Sequence, residues 1–260
     1  MAGETVKSRA ICLSIAPWSR TSHIVSWLTP CGKVTTVAKG AVRPKSWLLG
    51  QDDLNYSCEI TYYARARGEV HALRDCAPVE RRDALRDDFR ALALAGYFRR
   101  LAAEFAPQGP DCAAWHDALA EALDALAESA AGSPQFAGGW LVHMLRFELA
   151  ALHLLGLSPE IEAESGVFSL SGERKIPVSP EVAEYLRDPT RPVKNPQIPL
   201  DAARVIGVFY HFHADCAPDV RRTVLGMISK RQGKNKGNEH QDARCGGSRR
   251  SDGRRVRPEV

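Results

Sequence analysis

Lys33, Lys39, Arg43 and Lys45 fall within the stretch Gly32 to Ser46 (GKVTTVAKGAVRPKS), and Trp47 follows directly after it. Ammonium and guanidinium groups grip a phosphate backbone by displacing its condensed counterions, and an indole ring offers a face on which a base can stack. An alternating apolar run, Val34 to Val37, breaks at Lys39-Gly40 into the basic segment, so a strand is expected to feed a cationic turn. Arg65 and Arg67, in a loop ahead of Val70, join the candidate set. The same cations also suit a solvated rim, and Trp47 equally suits a plug for the end of a small barrel; at the level of sequence both readings stand.

Other chemistry is weaker. The chain contains no G-x-x-x-x-G-K, G-x-S-x-G, H-E-x-x-H or dinucleotide fingerprint. His211, His213, Asp215 and Cys216 form the one cluster that suggests a metal-dependent hydrolase, but on a helix His211 and His213 point to different faces, leaving too few ligands for a closed site. The neighbouring carboxylates Asp87-Asp88 and Glu162 with Glu164 are read as solvated. Seven cysteines, scattered and never spaced C-x-x-C, argue against a disulfide framework and predict reduced, mostly buried thiols.

The formal charge of +4 hides an asymmetry: residues 1–50 hold seven Lys/Arg and one acid, residues 51–229 hold 18 basic and 26 acidic residues, and residues 230–260 hold ten basic and four acidic. A basic head therefore sits on an acidic body and ends in a basic tail. No leader pattern and no bilayer-length apolar run occur, so a cytoplasmic, nucleoid-associated protein without membrane contact is expected.

The elements that must carry these residues change character near Glu80. Before it, Val6–Ile15, His23–Leu28, Val34–Val37, Ser57–Tyr63 and Val70–Leu73 read as five short strands, with Pro17 and Ser19 breaking the first. They predict a five-stranded, partly open barrel of the oligonucleotide-binding type over residues 1–79. After it the period is helical: Leu94, Phe98, Leu101 and Phe105 mark one helix, and Trp115, Leu119, Ala122 and Leu126 a second. Gly139 to Leu155, apolar nearly all round and capped by Gly156, is the expected centre of a helical domain over 80–229. An irregular excursion from Pro159 to Pro180 includes a possible hairpin at Val167–Leu170, and helices follow near Pro180–Arg187, Leu200–Ala214 and Val220–Ile228. The fold class is α+β, and residues 230–260, with almost no large apolar side chain, are expected to be a disordered basic tail.

Three segments, PWSRTSHIVSWLTPCGKVTTVAKGAVRPKS (Pro17–Ser46), GEVHALRD (Gly68–Asp75) and RFELAALHLLGLSP (Arg146–Pro159), resemble the bacterial DNA repair protein RecO family. The resemblance implies an oligonucleotide-binding barrel joined to a helical domain, with no catalytic turnover. It implies binding of single- and double-stranded DNA, annealing of strands coated by single-stranded DNA-binding protein, and action with RecR to load RecA. Lys33, Lys39, Arg43 and Lys45 lie on the family's basic stretch, and Arg20 adds a cation where many relatives have an acid. Many relatives hold a zinc beginning with a Cys-x-x-Cys-Gly; here Glu162 and Ser165 stand in place of the thiolates, so no zinc and no other cofactor is expected, and the excursion must be held by packing or be loose. The family's helical domain receives the acidic tail of single-stranded DNA-binding protein. Arg146 is the candidate cation for it, unless Arg146 pairs internally with Glu148. An RNA-binding barrel module is the alternative that the residues leave open.

Overall fold

The structure is a computed structural model that describes residues 4–65, 69–132, 139–162, 167–169, 174–213 and 218–229. Its first strand, β1 (Thr5–Ser19), owes its length to two different partners. Residues 5–11 pair with β4 (Ser57–Tyr63), and residues 11–19 pair with β2 (Ser22–Thr29). Successive strand side chains point to opposite faces. Accordingly Ala10 and Cys12 enter the barrel core, while Ile11 and Leu13 enter the core of the helices. A register shift between Cys12 and Ser14 then turns the strand over, so that Ile15 packs back against the barrel core.

Pro17 does not end β1, as the sequence suggested. Beyond Ile11 the strand pairs with β2 alone, and Pro17 lies in that one-sided extension opposite His23, where a missing N–H costs no ladder bond on the open side. The strand from Val70 is likewise longer than expected, running to Glu80 as β5 (Val70–Glu80).

The barrel is closed rather than partly open, in the order β1-β2-β3-β5-β4, with β3 being Gly32–Ala38. Closure comes from three parallel residue pairs, Thr35–Val70, Thr36–His71 and Val37–Ala72. This is the connectivity of an oligonucleotide-binding barrel. Trp27 fills the interior and donates its indole N–H to Thr36 Oγ1 at 2.8 Å, which satisfies the one polar atom its burial would orphan.

Helices take over after a short 3-10 turn (Asp83–Arg86). Asp88 caps α1 (Phe89–Phe105) by accepting the Arg90 N–H at 2.8 Å, and the Arg90 guanidinium beside it holds the Asp88 carboxyl below its usual range. Then come α2 (Cys112–Ala130) and α3 (Trp140–Leu154). As expected, α3 is buried on most sides, and Gly156 at φ 70° closes it while the Leu157 N–H reaches back to the Leu152 carbonyl. The excursion forms a three-stranded sheet: β6 (Glu160–Glu162), β7 (Val167–Ser169) and β8 (Lys175–Pro177), with β7 in the centre. Phe168 is fully buried and packs edge-on against Phe209, and with Ile161 and Ile176 packed on the same core and Arg187 donating to the Ile161 carbonyl it anchors this sheet to the helices. The chain continues through α4 (Pro180–Arg187), α5 (Gln197–His213) and α6 (Pro218–Ser229).

Barrel and helices belong to one compact unit, Met1–Ser229. Arg82, itself buried, donates to the Asn55 carbonyl and Ser57 Oγ on the barrel side and to Asp124 on α2. Arg99 of α1 donates to the Leu13 carbonyl. The expected tail from residue 230 lies outside the described residues, and among the described residues no helix is long and apolar enough to cross a membrane.

The helical core is organised around one carboxylate. Glu148 has no exposed surface, and its two oxygens take 2.8 and 2.9 Å bonds from Arg221 and a 2.7 Å bond from the Tyr97 hydroxyl. The Tyr210 hydroxyl bonds the Glu148 carbonyl, and Arg221 also donates to the Ala203 carbonyl, so α1, α3, α5 and α6 meet here. The internal partner of Glu148 is thus Arg221, not Arg146. Residues separated by 73 positions cannot be paired from sequence. Gly207 makes room, since a Cβ there would lie 2.6 Å from Arg221 Nη1. A Glu148→Ala change strands the Arg221 charge in the core and is expected to lower the unfolding free energy by about 3–5 kcal/mol, measured by urea denaturation.

Candidate nucleic-acid interface

The two ends of the barrel differ in character. At one end the β2–β3 turn is fastened to the helices: the Cys31 carbonyl accepts from the Gly109 N–H, the Lys33 N–H donates to the Gln108 side-chain oxygen, and the Gln108 amide nitrogen donates to the Lys33 carbonyl. Lys33 Nζ donates to the Ala103 carbonyl at 3.0 Å, in the last turn of α1, where a cation also complements the helix dipole. Lys33 therefore stands at the barrel–helix junction. Six residues along β3, at about 3.3 Å each, place Lys39 about 20 Å from it, at the opposite end.

That opposite end gathers the tip of the β1–β2 hairpin and the segment that follows β3. Gly40, at φ 69°, turns the chain out of β3 while its N–H bonds Ser22 Oγ at 3.0 Å. The Val42 N–H bonds the Thr21 carbonyl at 3.3 Å, which ties the two tips together. Behind the turn the segment is sunk into the barrel. Ala41 and Leu48 are buried in its core, the Gln51 carbonyl accepts from the thiols of Cys58 and Cys76, and Asp52 meets His23 Nε2 at 2.5 Å. Burial pushes the Asp52 carboxyl up, against the opposing pull of the His23 hydrogen bond.

On this anchored segment Lys39, Arg43 and Lys45 are exposed, and Trp47 is 57% exposed. Trp47 is therefore not the plug of the barrel; Leu48, one residue on and 3% exposed, is buried in the core instead. Arg65 is exposed at the end of β4, where the Ala64 N–H bonds the Glu4 carbonyl, and so sits beside the first residues of β1 rather than the last. Arg67 lies outside the described residues. The cluster thus consists of Lys39, Arg43, Lys45 and Trp47, joined by two residues that periodicity did not single out as contacts. These are Arg20 and the 64% exposed Trp18 on the hairpin tip. Their signal in the sequence was the absence of any Asp or Glu from Thr5 to Gln51. Barrel carboxylates such as Glu59 and Asp75 lie on β4 and β5, where Glu59 takes Lys7 as its partner. Cations without nearby acids and exposed aromatics on an anchored segment can hold a polyanion that offers flat ring faces.

In the helical part, Arg146 lines a groove between α2 and α3 of about 570 Å³, together with His143 and three carboxylates, Glu121, Asp124 and Glu128. Asp124 is engaged by Arg82. Of the suspected metal cluster, His213 rests against the rings of Phe209 and Phe212 and His211 is exposed, while Asp215 and Cys216 lie outside the described residues. Among the described residues no three His, Cys, Asp or Glu side chains converge on a common point.

Comparison with known proteins finds a family match over the helical part. The model for "Recombination protein O C terminal" matches residues 86–224, more than half of the chain. A curated relative, the DNA repair protein RecO of Desulforudis audaxviator (strain MP104C), is 32% identical over 135 residues. That match covers 52% of this chain and 50% of the relative, so the matched stretch spans about half the length of the curated protein.

His143 gives the helical part a pH signature. It is 5% exposed, contacts Ser129 Oγ at 2.9 Å, and is driven down to about 4 by burial and then by the Arg146 charge. Below pH 6.5 the unfolded chain takes up a proton that the folded chain refuses until about 4. The stability is thus complete above 6.5 and is lost as pH falls through that window, by up to about 3 kcal/mol. Urea unfolding of the native chain and of His143→Gln from pH 7 to 4 is expected to show a smaller loss in the variant.

Proposed function

The chain belongs to the recombination protein O family, and from that premise we propose that it acts in DNA repair and recombination as a DNA-binding mediator without catalytic turnover. It anneals complementary single strands and, together with RecR, helps load RecA onto DNA coated by single-stranded DNA-binding protein. The observation that carries this reading is the cationic end of the barrel, where Arg20, Lys39, Arg43 and Lys45 stand exposed on segments fastened to the core. Annealing needs a grip on two backbones without sequence readout. Cations that meet phosphates supply that grip.

Partner contacts fall to the helical part in this reading. Arg146 is the cation proposed for the acidic tail of single-stranded DNA-binding protein. The three carboxylates in the same groove mean that such a tail must enter from the Arg146 side and keep its own acids away from α2. Lys33 supports the DNA surface indirectly by holding the barrel on α1, and Arg65 lies at a separate position that a long strand would reach.

The excursion is proposed to need no zinc, with the packing of Phe168 against Phe209 taking the place of a metal clip. Elemental analysis of the purified chain is expected to find substoichiometric zinc; one zinc per chain would overturn this. For the DNA surface, Lys39→Ala is expected to weaken binding to all oligonucleotide sequences alike and to lower the slope of log K against log salt by about one phosphate contact. An unchanged slope, together with unchanged annealing in Lys39→Ala/Arg43→Ala, would remove this end of the barrel from the function.

A further inference from the structure

Trp18 and Trp47 are the outliers among the five tryptophans of the chain. Trp27 and Trp115 are buried in the two cores, and Trp140 lies against the Arg90 guanidinium. Trp18 and Trp47, by contrast, are 64% and 57% exposed. One exposed apolar side chain needs no explanation. Here Trp18 lies on the hairpin tip, which the Val42–Thr21 and Gly40–Ser22 bonds tie to the segment after β3, and Trp47 lies five residues beyond the exposed Val42 on that same segment.

The charges on the same tips narrow the occupant. Arg20, Lys39, Arg43 and Lys45 are exposed there, no Asp or Glu occurs from Thr5 to Gln51, and the first acid that follows, Asp52, is buried against His23. The ligand is therefore a polyanion, and one that presents flat faces to two indoles. A duplex keeps its base faces covered by stacking, whereas an unpaired strand can turn them outward.

We propose that Trp18 is a second base-stacking residue alongside Trp47, and that this pair makes the end of the barrel select single-stranded over duplex DNA. The cations then hold either form through its phosphates, while the indoles reward only the form with unpaired bases. The proposal rests on the reading of this end of the barrel as the DNA surface, and it adds the residue that sets strand preference.

The test uses the full chain and its Trp18→Ala, Trp18→Phe and Lys39→Ala variants with a short oligothymidylate and a hairpin duplex. Binding is followed by anisotropy over a salt series and by quenching of tryptophan emission. Trp18→Ala is expected to bind the oligothymidylate about tenfold more weakly, to bind the duplex as before with an unchanged salt slope, and to lose part of the quenching. Trp18→Phe, which keeps an aromatic face, should recover most of the affinity, showing that the loss in the alanine variant is not misfolding. Oligothymidylate binding unchanged in Trp18→Ala, or lost equally for duplex, overturns the proposal. The underlying reading survives that result if Lys39→Ala still lowers the salt slope, and fails separately if it does not.

Discussion

Four consecutive residues of β1, Ala10 to Leu13, are buried on both faces, and the rest of the molecule depends on that constraint. Ala10 and Cys12 belong to the barrel while Ile11 and Leu13 belong to the helices, so neither core is complete without the same strand. A strand shared in this way cannot shift by one residue, because a slip would send each set of side chains to the wrong core. It also explains why the barrel has one occupied end and one open end. The helices cover the β2–β3 turn through Gln108, Gly109 and the α1 carboxyl end, and the hairpin tip beyond Ala16 projects away from them.

Within the helices a different principle applies. Glu148 and Arg221 are buried together, and their mutual attraction has to offset the loss of hydration of two charges. Separating the two is what costs most, since any packing of α1, α3, α5 and α6 that parts them leaves a charge unanswered in the core. Tyr97, Tyr210 and the space at Gly207 complete the same set of contacts. A Tyr97 hydroxyl so placed is held protonated by its burial and the adjacent Glu148 carboxylate, and therefore remains a donor.

The cationic end of the barrel, the proposed DNA surface, combines a firm base with an uncovered face. The loop that bears Lys39, Arg43, Lys45 and Trp47 is sunk into the core through Leu48 and fastened through Gln51 and Asp52. A surface built this way loses little conformational freedom when a flexible strand is laid on it. The proposed role in holding nucleic acid agrees with the charge pattern, which is segregated so that β1 to β3 are basic and acids such as Glu59 and Asp75 fall to β4 and β5.

Much of this was legible in the residues alone, because it depends on local pattern. Alternation marked the strands, the change to a helical period after Glu80 marked the second part, and Gly156 marked the end of α3. The basic head, with no Asp or Glu from Thr5 to Gln51, and its Lys39–Trp47 segment were equally visible, since composition is carried by the chain itself. Tertiary structure decided what depends on partners far apart in sequence. It closed the barrel through β3 and β5, carried β1 past Pro17, gave Glu148 to Arg221, drew Lys33 to the end of α1, and left Trp18 in the open beside the basic turn. The reason is physical: periodicity fixes which face of an element is apolar, but which charge or ring lies opposite that face is set by packing, and packing brings together residues that the sequence holds apart.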